Sequence, residues 1–387
     1  MKRILISIDS FYDGGAEMFA IRLANGLTER YEVHMMEFMS SASKIKAQKK
    51  QVDPKVRIFT PEYSFILRKL LQLKNLLPSV FEKYITYFIG QYPYVCIRNY
   101  IIKNSIEIVN SHAIEHNSIL VRIKKNLPNL KLVLSLHGHY ELYRKNYEVE
   151  RFNALIHNHI SGFNRIIYTT QDQLNTFTEF GLEASKATKI FYGLAFNIHK
   201  DQIKPVLPGK ILRLILVSRA IIEKGWVEAI QAVESINKSG IKVSILLVGD
   251  GPILTELKSK NQHEFIKFTG NIENVFPLIQ DVHIGLLPTY YHAESFPNSI
   301  IEYLSCGKPV IASNIGAISE MLTYENEIAG ELIDCVRGNP ICIYDLKTLI
   351  MKYIDNPGLY QSKVKLALQA SEKFKLNTCI KEYSNIF

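Results

Sequence analysis

Short apolar runs of strand length alternate along this chain with stretches whose apolar residues recur at helical spacing. That alternation predicts parallel α/β architecture, and it occurs twice. In the first half the clearest predicted strands are Ile4–Ile8, Val33–Phe38, Ile106–Asn110, Leu132–Leu136 and Arg165–Tyr168. In the second half they are Leu212–Val217, Val243–Val248, Ile266–Thr269, Val282–Leu286 and Val310–Ala312. Strands reading as near-continuous apolar runs suit sheets covered by helices on both faces. Between the halves, His199–Lys210 holds Pro205, Pro208 and Gly209 and little that is apolar. It reads as a linker joining a domain at 1–198 to one at 211–371. Ligands of open parallel sheets bind beyond the carboxyl ends of the strands, so the turns that follow strands are where chemistry is expected.

The pattern changes between residues 62 and 104. Ile66, Leu70, Leu73 and Leu77 share one helical face, while Arg68, Lys69 and Lys74 lie largely elsewhere. Tyr84, Tyr87, Phe88, Tyr92, Tyr94 and Tyr100 follow, with few acids between them. A basic, aromatic, amphipathic stretch of this kind suits an anionic membrane interface. It equally suits helices that pack on a core and keep a solvated basic side.

Composition narrows the classes. At 387 residues the chain has room for two ordinary domains, and 47% hydrophobic with 21% charged residues excludes a disordered one. The formal charge of +9 favours anionic partners: nucleotide phosphates, lipid headgroups or nucleic acid. No nucleic-acid-binding motif accompanies the charge, which sets that class aside. The five cysteines are scattered and odd in number, arguing against a disulfide framework and for a reducing, cytoplasmic setting. The apolar run after Lys2-Arg3 is broken by Asp9 and opens into Asp13-Gly14-Gly15, so it reads as a first strand rather than a signal peptide. No apolar run reaches about 18 residues, and no transmembrane helix is expected.

Four strand-end turns carry candidate chemistry. Gly14 and Gly15 precede a helical pattern from Met18 to Leu27, and paired glycines let backbone approach an anionic group closely. A plain strand-to-helix turn has the same look. Arg219 and Lys224 follow a buried strand and suit a diphosphate, Arg219 by its fork and Lys224 as a point charge; a solvated loop pair is the alternative. Gly249-Asp250-Gly251-Pro252 is chiefly a turn signal. His137 leaves its strand toward the ligand side, where an imidazole can donate to a sugar hydroxyl or stabilise developing charge, or simply pack against backbone.

The most specific stretch is Tyr290–Glu320. Glu294 and Glu302 are separated by seven uncharged residues that begin a helix. Pro297 suits its first turn, and Ser295 is placed to cap the free N–H groups. Those N–H groups make a seat for a phosphate, and the flanking carboxylates suit hydroxyl-rich ends. A nucleotide-sugar has that combination.

Taken together, Gly14-Gly15, His137, Arg219 with Lys224, Gly249 to Pro252, and Glu294 with Glu302 resemble the retaining glycosyltransferases of family 4. The resemblance spans most of the chain, is strongest from Leu212 to Leu322, and is weak from about Ser41 to Ser105. It implies the GT-B architecture: two Rossmann-like, doubly wound parallel-sheet domains facing across a cleft. The first is then the acceptor side and the second the nucleotide-sugar donor side. Glu372–Phe387 is implied to cross back to the first domain. Arg219 and Lys224 would bind the donor diphosphate, Glu302 the ribose hydroxyls, and Glu294 would sit by the transferred sugar. The backbone of Phe296, Pro297, Asn298 and Ser299 would cradle sugar and phosphate. Gly15 would approach the diphosphate, His137 the reacting sugar, and the base would lie near Asn271-Ile272, with uridine favoured by frequency in the family. The chain departs from the family at Gly138 and His139, where an aspartate often follows the histidine, so the donor side carries more of the resemblance than the acceptor side.

The reaction this implies moves a sugar from a nucleoside diphosphate sugar, UDP-linked by preference, to a hydroxyl with retention at the anomeric carbon. Positive side chains and a helix N-terminus stabilise the departing diphosphate. No Asp-x-Asp pair stands at a strand end, so no metal and no cofactor beyond the donor substrate is expected. If the 62–104 stretch meets a membrane, the acceptor is a lipid-linked glycan intermediate in polysaccharide assembly and the protein is peripheral at the inner face. An epimerase of the same fold and a non-catalytic nucleotide-sugar-binding protein remain open as alternatives.

Overall fold

The computed structural model describes residues 1–11, 14–38, 49–61, 79–114, 116–138, 149–179, 181–195 and 211–387. Side chains at 79–90, 149–152 and 155 are outside that description, as are the 199–210 linker, His139, and Ile66 to Leu77 with their interleaved basic residues. The described residues fall into two compact units. One comprises Met1–His137, Tyr143–Gly193 and Leu376–Phe387; the other is built mainly from Leu194–Lys375.

The first unit is a seven-stranded sheet. Its strands are β1 (Arg3–Ile8), β2 (Glu32–Glu37), β3 (Arg57–Phe59), β4 (Ile108–Ser111), β5 (Lys131–Ser135), β6 (Arg165–Tyr168) and β7 (Ala187–Lys189). They pair in parallel in the order β3-β2-β1-β4-β5-β6-β7. Central strands are buried almost throughout, as their apolar runs require, whereas edge strands β3 and β7 are not. The helix Gly15–Leu27 follows β1 and buries Phe19, Ala20, Leu23 and Leu27. The C-terminal helix Leu376–Ile386 packs on it, and Lys2 Nζ donates to the Phe387 carbonyl at 3.2 Å. Glu372–Phe374 is a 3₁₀ turn that stays with the second unit, so the segment joining the first unit begins at Leu376.

The second unit has its own parallel sheet. Its strands are β8 (Leu212–Val217), β9 (Val243–Val248), β10 (Ile266–Gly270), β11 (Ile284–Leu287) and β12 (Val310–Ser313). After β12 come a two-stranded hairpin, β13 (Thr323–Tyr324) with β14 (Glu327–Ile328), and then β15 (Gly330–Ile333). The sheet order is β10-β9-β8-β11-β12-β15. Leu214, Leu216, Ile245 and Leu247 from the strands pack with Trp226, Ile230 and Val233 of the helix Trp226–Lys238. Each such side chain contributes about 1.5–3 kcal/mol when fully buried.

In both sheets the chain winds outward from one central strand and then restarts on its other side. The reversal lies between β1 and β4 in the first unit and between β8 and β11 in the second. All strand ends of one polarity share one edge, so the loops after β8 and β11 are forced together there.

Candidate functional site

Two loops meet at the switch point of the second unit. Ser218–Lys224 leaves β8 and Pro288–Glu294 leaves β11, and the Tyr290 and Thr289 groups both hydrogen bond to the Glu223 carbonyl, at 2.8 and 3.1 Å. The glycine turn after β9 closes against the first loop. Gly249 (φ 138°) lies so near Ser218 that a Cβ would stand 1.9 Å from the Ser218 carbonyl oxygen. Ala220 N–H donates to the Asp250 carbonyl at 2.9 Å. Gly249 to Pro252 is thus the packing partner of the basic loop, as its turn chemistry suggests.

The charged groups converge on Tyr291. Lys224 Nζ donates to Glu294 Oε2 at 2.5 Å, and both side chains are buried. The Lys224 ammonium also lies 4.9 Å from the centroid of the Tyr291 ring, and the Arg219 guanidinium 5.7 Å from it. Arg219 is exposed, with its fork at the mouth of this cluster. The sequence assigned Lys224 to phosphate and Glu294 to sugar as separate groups; the structure joins them as one buried ion pair.

Three contacts hold the Glu294 loop. Tyr290 is buried and hydrogen bonded to Glu228; burial, with that carboxylate beside it, pushes its phenol up to about 12. Arg337, just beyond β15, donates from Nη1 to the carbonyls of His292 (2.9 Å) and Glu294 (2.6 Å). Gly316, with φ 59°, lets the loop after β12 press on the same backbone, where a Cβ would meet the Ser295 and Glu294 carbonyl oxygens at 2.6 and 2.9 Å. Arg337 went unread because β15, short and half-exposed at the sheet edge, gave no apolar run to anchor the turn after it.

The helix Asn298–Ser305 starts immediately after this loop. Pro297 is its N-cap residue, one position earlier than expected, and no side chain caps the helix. The expected Ser295 cap does not form: Ser295 lies two residues before the cap, where its carbonyl accepts from Ala317 N–H at 2.8 Å. Pro297, as the cap residue, offers no side-chain acceptor to the first N–H groups of the helix. Phe296 stands edge-on to Phe374, with centroids 5.8 Å apart, while Asn298 is half-buried and Ser299 buried. Glu302 is half-buried on the second helical turn, and Asn271 and Ile272 are exposed in the loop after β10.

In the first unit, Gly14 is the extended N-cap of Gly15–Leu27, and a Cβ there would collide with the Glu17 carboxylate. At the β1/β4 switch point His116 Nε2 lies 3.2 Å from Asp9 Oδ1, with the His116 ring stacked on Phe38 at 3.5 Å. His137 follows β5. Its Nε2 is 2.8 Å from His112 Nδ1, and His112 Nε2 is 2.8 Å from Asn110 Oδ1. Phe19 packs tilted against both rings and stacks on Tyr192 at 4.1 Å. Burial pushes the His137 imidazole down to about 3 and holds His112 well below its usual range. Among the described residues no group of three or more His, Cys, Asp or Glu side chains is arranged to hold a metal. No helix among them is long and apolar enough to cross a membrane.

Comparison with known proteins agrees with this geometry. Residues 212–336 match the family model for glycosyl transferases group 1, the stretch that carries Arg219, Lys224 and Glu294. An uncharacterized glycosyltransferase of Methanocaldococcus jannaschii is 23% identical over 290 residues, 73% of this chain and 75% of that protein. A GDP-mannose-dependent alpha-(1-6)-phosphatidylinositol dimannoside mannosyltransferase of Mycobacterium tuberculosis is 29% identical over 122 residues, a match spanning 31% of each chain. The crystal structure of Anabaena HepE in complex with UDP superposes with a TM-score of 0.74 over 100% of this chain and 99% of that one, at 17% identity. The fold is that of the GT-B glycosyltransferases, and residues 212–336 are similar to the glycosyl transferases group 1 family.

Proposed function

We propose that the protein transfers a sugar from a nucleoside diphosphate sugar to a hydroxyl of a glycan acceptor, with retention at the anomeric carbon. The observation that carries this reading is the buried Lys224–Glu294 pair at the β8/β11 switch point, beside an uncapped helix N-terminus. Arg219 and Lys224 bear on the diphosphate, Arg219 through its exposed fork and Lys224 as a charge held by its partner. The N-terminal N–H groups at Asn298 and Ser299 add positive potential at the same place. Glu294 accepts from hydroxyls of the transferred sugar through the carboxylate oxygen that Lys224 leaves available, and Glu302 accepts from the ribose. Asn271 and Ile272 border the base.

Leaving-group charge is met by these fixed groups, so no divalent ion is required. Among the described residues no second carboxylate pairs with Glu294 as a covalent nucleophile, which supports same-face attack assisted by the leaving phosphate. A UDP-linked donor is favoured by HepE, whose structure holds UDP; the mycobacterial relative, which uses GDP-mannose, makes the guanine donor the natural control. The acceptor is a lipid-linked polysaccharide intermediate reached from the inner membrane face, a reading that rests on the basic and aromatic composition of 62–104.

The test is product stereochemistry. With UDP-sugars, chelator and membrane-extracted lipid-linked saccharides, proton NMR of the product should show the donor's own anomeric configuration. An inverted product, or turnover only with added manganese or magnesium, would overturn the retaining, metal-independent reading.

A further inference from the structure

Residues 288–297 run as turns and bends between β11 and the helix Asn298–Ser305, so the loop that carries Glu294 takes its order from its neighbours. Glu294 N–H donates to the Tyr291 carbonyl at 3.0 Å and closes a tight turn through His292 and Ala293. The other carbonyls of this turn are met from the segment after β15. The Tyr290 carbonyl accepts from Gly338 N–H at 2.7 Å. Arg337 Nη1 donates to the His292 carbonyl at 2.9 Å and to the Glu294 carbonyl at 2.6 Å, and a guanidinium Nη atom carries one hydrogen for each. Gly338 lets the two segments lie close: its φ is 84°, and a Cβ there would stand 2.3 Å from His292 Nε2.

Glu294 is thereby held at both ends. Lys224 grips its carboxylate from the loop after β8, and Arg337 grips its carbonyl from the turn after β15. In the sheet order β8 and β15 lie on opposite sides of β11, so the residue is tied to the fold from two directions. The guanidinium is planar and always charged, so one rigid group sets the direction of both carbonyls. Glu294 is buried, and a carbonyl left unmet there costs more than the bond itself contributes.

We propose that Arg337 is a positioning residue for the sugar half of the donor, acting through the Glu294 backbone to fix where the carboxylate meets the sugar hydroxyls. Arg337 bears on the loop after β11, whereas the diphosphate groups Arg219 and Lys224 stand on the loop after β8. Its loss therefore weakens the hold on the sugar and spares the nucleotide. The consequence for the sugar rests on the glycosyltransferase reading; the clamp on the loop does not.

Hydrogen exchange read by mass spectrometry on the full chain tests the clamp. In Arg337→Met the peptide spanning 289–297 should exchange about tenfold faster than in the wild type, the scale of one hydrogen bond, while peptides of β8 and β9 keep their rates. Arg337→Lys keeps a charged donor and should lie between the two. Calorimetry then reads the sugar, using UDP and whichever of UDP-glucose and UDP-galactose the wild type binds more tightly. In Arg337→Met affinity for that UDP-sugar should fall about tenfold, with UDP affinity within about twofold of the wild type, and Arg337→Lys should recover part of the loss. Unchanged exchange at 289–297, faster exchange spread over every peptide, or equal losses for UDP and UDP-sugar would overturn the positioning role. Faster exchange confined to 289–297 in a chain whose wild type binds neither UDP nor UDP-sugar would support the clamp and overturn the transfer reading instead.

Discussion

Lys224 and Glu294 lie 70 positions apart in the chain, yet their charged atoms meet at 2.5 Å with side chains only 11% and 7% exposed. One follows β8 and the other follows β11, so the pair ties together the two loops that flank the reversal of the sheet. Breaking a buried ion pair strands the surviving charge, at a cost of about 3–5 kcal/mol. Glu294→Leu and Lys224→Met should each lower the urea-unfolding free energy by about that much. The double variant should lose clearly less than the sum, because neither charge is then left behind. Strictly additive losses would mean that the two groups do not depend on each other.

Arg219 is expected to separate binding from folding. It is exposed and the fold does not rest on it, so Arg219→Ala should change stability by no more than about 0.5 kcal/mol. The same change should weaken UDP binding by about 1.5–3 kcal/mol, the range for a charged hydrogen bond, as calorimetry would read it. Arg219→Lys should recover only part of the loss, since an ammonium lacks the planar fork.

Gly316 is expected to act on Glu294 through backbone alone. Its φ of 59° is strained for any other common side chain, and an added methyl would meet the Ser295 and Glu294 carbonyl oxygens inside contact distance. Gly316→Ala should cost about 1–3 kcal/mol in stability. It should also lower affinity for the nucleotide-sugar more than for UDP, because the displaced residue is the one assigned to the sugar. Comparing the two titrations checks this.

The histidine pair makes stability depend on pH in a definite direction. His137 stays neutral in the folded chain down to about pH 3 but protonates near 6.5 when unfolded. Its contribution is therefore complete above the unfolded value and is lost as pH falls from about 6.5 toward 3, with a limiting slope of about 1.4 kcal/mol per pH unit. His112 shifts in the same direction. His137→Asn should flatten the acid side of the stability–pH curve relative to wild type in this window. Parallel curves would show that the ring is solvated in the folded state.

Much of this architecture was legible in the residue order because buried parallel strands must be apolar on both faces. Arg165–Tyr168, Leu212–Val217 and Val243–Val248 form with the expected bounds. The strands that escaped, Arg57–Phe59, Ala187–Lys189 and Gly330–Ile333, are short ones at sheet edges, where one side meets solvent and polar residues interrupt the run. The site divided in the same way. Arg219, Lys224 and Glu294 stand in motifs with local spacing, and the structure groups them around Tyr291. Arg337, Glu228 and the Asn110–His112 pair act through sheet order and buried hydrogen bonds, which no local spacing encodes. Ser295 shows the reverse error: its type suits a cap, but the turn against Gly316 and Ala317 takes its backbone elsewhere.

The central claim is that the β8/β11 switch point of the second unit binds a nucleoside diphosphate sugar without metal. Thermal unfolding of the full chain in chelator, across UDP, UDP-sugars, GDP and GDP-mannose, tests it most directly. A ligand held only by the folded state adds about 2.7 kcal/mol at a hundred times its Kd, so at least one uridine ligand should raise the Tm by several degrees, and Arg219→Ala should shrink the rise. A Tm unmoved by every nucleotide at millimolar concentration, or a rise that Arg219→Ala leaves intact, would contradict it.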